Sequence, residues 1–108
     1  MNSRDLFDEL SEIAKNIGIT IRKEKGNFKS GICLIKDKEI VILNKTTPVE
    51  AMNSILAACL FRHSENIFMK PIIRDFIEKE NNGNNPEQFY LEIDELLTVK
   101  KSKTGKEK

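Results

Sequence analysis

Apolar residues in the first 17 positions recur at helical spacing. Leu6, Phe7, Leu10, Ile13, Ala14 and Ile17 fall on one side, with Asp5, Asp8, Glu9, Glu12 and Lys15 opposite. The spacing predicts a helix over residues 3–17, capped by Asn2 or Ser3 and stopped at Gly18. The period then shortens to two. Residues 19–24 (ITIRKE) alternate as a half-buried strand does, and the turn-rich KGNFKSG follows. Residues 32–36 (ICLIK) and 39–44 (EIVILN) flank Asp37 and Lys38, the pattern of a tight hairpin. The unbroken apolar centre of EIVILN predicts a strand covered on both faces or lying at a subunit contact.

Helical periodicity returns at TTPVEAMNSILAACLFRH. Thr47 as N-cap, Pro48 at the first position and Glu50 three after the cap spell a capping box. Val49, Met52, Ile55, Leu56, Cys59, Leu60 and His63 form one stripe. A third helix is expected from 67 or 70 to 80, with Ile72, Ile73, Phe76 and Ile77 inward and Pro71 in its first turn. NNGNNP (81–86) reads as a loop. A last short helix is expected from Pro86, with Phe89, Tyr90, Ile93, Leu96 and Leu97 as its apolar face. KKSKTGKEK (100–108) has nothing to bury and reads as a disordered basic tail after a single domain at 1–99. The expected architecture is α+β. It has a small three-stranded antiparallel sheet with helices packed on one face, in the order α-β-β-β-α-α-α.

Composition narrows the function classes. The chain has 108 residues, with 18 Lys and Arg against 17 Asp and Glu, so no whole-molecule attraction draws it to nucleic acid or anionic membrane. No apolar run approaches the ~20 residues of a membrane span, and the acidic N-terminus is unlike a secretory signal. The expectation is a cytoplasmic protein whose two cysteines are reduced thiols.

Three residues carry the obvious candidate chemistry. Cys59 and His63 are four apart and share a helical face, and Cys33 could join them if its strand points that way. Such a set could hold a catalytic zinc, or pair a thiol with an imidazole. Against this, cysteine behaves as a small core hydrophobe, and His63 near a helix end suits the dipole. No second orienting group is identifiable, and no cofactor is expected.

The stretches LSEIAKNIGITIRKE and SGICLIKDKEIVILNKTTPVEAMNSILAACLF, within residues 6–62, resemble the N-terminal half of the ImmA/IrrE-type zinc metallopeptidase-like family. In that family a helix reading roughly "tLAHELGH" supplies two zinc-binding histidines and a glutamate general base. Here Ala58 stands where the first histidine would be, Cys59 at the glutamate and Arg62 at the second histidine. Ala58 cannot ligate, a thiol does not replace the carboxylate base, and Arg62 repels a cation. The resemblance implies a degenerate, metal-free relative and not a protease.

Arg22, Lys23, Lys25 and Lys29 around Phe28, with the lysine-rich tail, would suit a nucleic-acid accessory protein. They make a smaller basic surface than recognition normally needs. Gly26 and Gly31 build no phosphate loop. IFMKPIIRDFI and the 86–97 stretch are richer in large apolar residues than so small a sheet requires. Ile67, Phe68, Met69, Phe89 and Tyr90 are therefore interaction candidates, with a homodimer as the expected partner arrangement. The leading expectation is a non-catalytic interaction or regulatory module. The alternatives are a metal or thiol enzyme using Cys33, Cys59 and His63, and the nucleic-acid accessory.

Overall fold

The structure is a computed structural model describing residues 1–36, 38–82 and 86–91. Helix α1 (Ser3–Asn16) begins with the Asn2 side chain accepting from the Asp5 amide at 2.8 Å, and Gly18 follows it at φ 92°. That positive φ is the left-handed conformation a helix stop uses, and glycine adopts it without Cβ strain. Strands β1 (Thr20–Glu24), β2 (Gly31–Ile35) and β3 (Lys38–Asn44) come next, then α2 (Val49–Phe61) and α3 (Pro71–Asn82). The fold is α+β, and the described residues form a three-stranded sheet and three α-helices in the order α-β-β-β-α-α.

The sheet departs from the antiparallel meander that chain order suggests. Its spatial order is β1-β3-β2; β3 is parallel to β1 and antiparallel to β2. β2 and β3 form the expected hairpin, with Ile35 opposite Lys38. Residues 25–30 carry the chain from β1 past the end of β3 to β2, and β3 inserts between its predecessors. The Asn44 side chain holds that arch. Its Nδ2 donates to the Gly26 and Phe28 carbonyls at 2.8 and 2.7 Å, and its Oδ1 accepts from the Thr46 amide and hydroxyl. The Asn44 amide donates to Ser30 Oγ at 2.7 Å. A central β3 also explains the unbroken EIVILN. Val41 and Leu43 enter the main core with Ile32, while Ile42 turns to the other face beside Cys33.

The main core joins α1 (Phe7, Leu10, Ala14), the strands and α3 (Ile73, Ile77) around α2. All six residues from Ile55 to Leu60 are buried, so the second half of α2 up to Leu60 is enclosed on every side. Each fully buried Leu or Ile of this kind contributes about 1.5–3 kcal/mol relative to its exposed state. The far face of the sheet is thinner. Cys33 and Ile42 pack under Phe28, Ile40 and Leu91.

Four local expectations are corrected. The capping box does not form: Thr47 Oγ1 hydrogen-bonds Ser30 Oγ at 2.7 Å, and α2 starts at Val49 after Pro48 with no side-chain cap. Ile72 is 56% exposed, because α3 turns Ile73 and Ile77 to the core. The described start of the expected fourth helix is instead a 3-10 turn at Pro86–Phe89, after which Tyr90 forms a parallel bridge with Ile32. The Leu91 amide donates to the Ile32 carbonyl at 2.8 Å. Gly31 permits this approach, since a Cβ there would lie 2.7 Å from both the Phe89 carbonyl oxygen and the Leu91 side chain. Residues 81 and 82 of the expected loop belong to α3. The rest of that loop before Pro86, with Ile93, Leu96, Leu97 and the 100–108 tail, lies outside the described residues. Among the described residues no helix is long and apolar enough to cross a membrane.

Candidate functional site

The polar centre nearest the predicted chemistry lies at the C-terminal end of α2, and its organiser is Glu39. Alternation along β3 puts Glu39 on the same face as Val41 and Leu43, beneath α2. Its side chain is only 9% exposed. A carboxylate so nearly buried needs partners, and among the described residues it has two. The Cys59 thiol donates to Oε2 at 3.7 Å, and the His63 ring contacts Oε1 through Nε2 at 2.5 Å. A carboxylate only accepts when ionised, so each oxygen satisfies one donor from the helix end.

Cys59 and His63 are thus brought together, by a residue that sequence reasoning did not single out. The signal for Glu39 was its place as the one carboxylate on the core face of an otherwise apolar strand. It was masked because the hairpin position also suited an exposed residue. Cys33 does not join them. It is buried, but alternation along β2 puts it in the cluster on the opposite face of the sheet. Among the described residues no group of three or more His, Cys, Asp or Glu side chains is placed to hold a metal ion.

The electrostatics at Cys59 favour the thiol over the thiolate. Burial pushes its pKa upward first, and the neighbouring Glu39 charge and hydrogen bond add to that. A thiol nucleophile needs the reverse, a lowered pKa in an electropositive, accessible setting. At the other motif positions Ala58 is buried, and the exposed Arg62 guanidinium lies over the Tyr90 ring, 5.3 Å from its centroid. That cation–π contact fastens the segment after α3 onto α2. The Tyr90 hydroxyl is buried beside Arg62. Burial raises its pKa.

The interaction candidates divide. Phe68 is 89% exposed, whereas Met69 is buried and Ile67, Phe89 and Tyr90 pack against the main core. Met69 therefore serves the fold, drawn inward as the chain enters α3. The exposed apolar residues of this region are Phe61, Phe68 and Ile72. Among the basic candidates, Lys23 sits 4.8 Å above the centroid of the Phe7 ring, Lys25 is exposed on the arch, and Lys29 lines a separate depression with Ser30 and Thr47. Compared with models of protein families, with curated proteins and with solved structures, the chain matches none.

Proposed function

We propose that the chain is a small cytoplasmic interaction module without catalysis, which pairs with a second copy of itself. The observation that carries this reading is Phe68, 89% exposed at the entry to α3, with Ile72 at 56% and Phe61 at 39% close by in the chain. Exposed apolar side chains of this size gain most by being covered in a complex. Two copies approach without strong mutual repulsion, since the formal net charge is only +1. The absence of catalysis rests on Cys59, a protonated thiol engaged by Glu39 in the core.

Descent from a metallopeptidase-like ancestor belongs to the same proposal. It is supported by the helix, three strands, helix order and by Ala58, Cys59 and Arg62 standing where zinc chemistry would need other groups. Light scattering across a concentration series tests the pairing. The proposal expects a mass twice the 12.4 kDa of one chain, falling to one chain in Phe68→Ser/Ile72→Ser. A single-chain mass for the unaltered protein at every concentration would refute it.

A further inference from the structure

At the opposite end of α2 lies a depression of about 220 Å3 that the interaction reading does not use. Three cations from three different elements converge on it: Arg4 from the first turn of α1, Lys23 from β1, and Lys45 just after β3. Thr47 adds a hydroxyl to the rim, and the Phe7 ring lies beneath the Lys23 ammonium. Among the described residues no carboxylate lines it, and none of the three cations enters a side-chain ion pair or hydrogen bond.

Lys15, Lys25, Lys36 and Lys38 also lack a carboxylate partner among the described residues, but only here do three cations line one depression. Three like charges around one small concavity raise its positive potential and draw an anion to it. We propose that this depression binds a single phosphate group, carried as the dianion of a phosphate monoester. Its volume is below the range of sites that enclose a whole drug-sized ligand, so it fits one charged group with the rest of the molecule outside. The adjoining depression shares Phe7 and Lys23 but is lined by Asp8 and Glu12. Those carboxylates oppose the continuing phosphates of a nucleic-acid strand, which needs an uninterrupted basic track.

The test follows backbone amide signals of the isotope-labelled full chain during titration with inorganic phosphate at constant ionic strength. The proposal expects saturable shifts at Lys45, Thr47 and Val49. Arg4→Gln and Lys45→Gln should each weaken binding about threefold to tenfold, as loss of one partly solvated charged contact does. Lys36→Gln, on the distant hairpin, should leave it unchanged. Shifts that grow without saturating, or that saturate elsewhere, would overturn the proposal. So would a short oligothymidylate that moves the same amides at lower phosphate concentration than inorganic phosphate, because the ligand would then be a diester chain. The spectrum of each variant reports whether it is folded.

Discussion

One face of the sheet lies against α1 and α2, while the other, among the described residues, lies under Phe28 and Leu91. Central strand β3 offers aliphatic residues to both sides, Val41 and Leu43 on one and Ile40 and Ile42 on the other, while β1 turns Ile21 to the helices and Arg22 away. What differs is how their covers are held. The helix side is held by bulk burial, spread over many side chains. The far side depends on two residues that bury little apolar surface of their own. Asn44 anchors the arch that carries Phe28, and Gly31 lets residues 89–91 come close enough to lay Leu91 over Cys33 and Ile42. The contrast teaches that a thin layer can rest on single hydrogen-bonding or steric positions where a thick one rests on numbers. Each side also carries one buried cysteine, Cys33 on the far side and Cys59 on the helix side, so the chain has its own reporter for each.

The largest effect is expected on the helix side. Leu56→Ala, at the fully buried centre of α2, should cost about 3–4 kcal/mol, read from denaturant midpoints. It should speed the labelling of Cys33 and Cys59 together, since global opening exposes both. Asn44→Ala removes the donor to two loop carbonyls and should cost about 2 kcal/mol. Here Cys33 should label ahead of Cys59; the reverse order would show that the two faces are not separate.

Gly31→Ala should cost about 1–2 kcal/mol by pushing the 89–91 segment away, again freeing Cys33 first. Cys59 supplies a subtler test. Its thiol keeps its proton in the fold, while the unfolded chain loses it near the ordinary value of 9.0. Above that pH the unfolded state binds fewer protons than the native one, so stability falls as pH rises. The fall is about 1.4 kcal/mol per pH unit from this group, and Cys59→Ala should remove that component. Phe68→Ser should be the quietest on stability, within about 0.5 kcal/mol, while lowering the mass seen in solution.

Periodicity and local chemistry, legible in the chain itself, determined where the elements lie: α1 with its Asn2 cap and Gly18 stop, the β2–β3 hairpin, the greasy α2 and the Pro71 start of α3. These depend on neighbours a few residues apart. Strand order did not share that legibility, because an apolar run states how buried a strand is and not which strands flank it. Only the tertiary structure put β3 between β1 and β2, took Thr47 from its cap to Ser30, and turned Tyr90 from a helix into a bridge. The same holds for the candidate site. Cys59 and His63 were visible as a pair four apart, but Glu39 joins them from 20 and 24 residues away, and strand alternation carried Cys33 to the other face. Arg4, Lys23 and Lys45 likewise become neighbours only when three elements meet. Contacts of that range are set by packing, in which every element constrains every other, so no local stretch of sequence contains them.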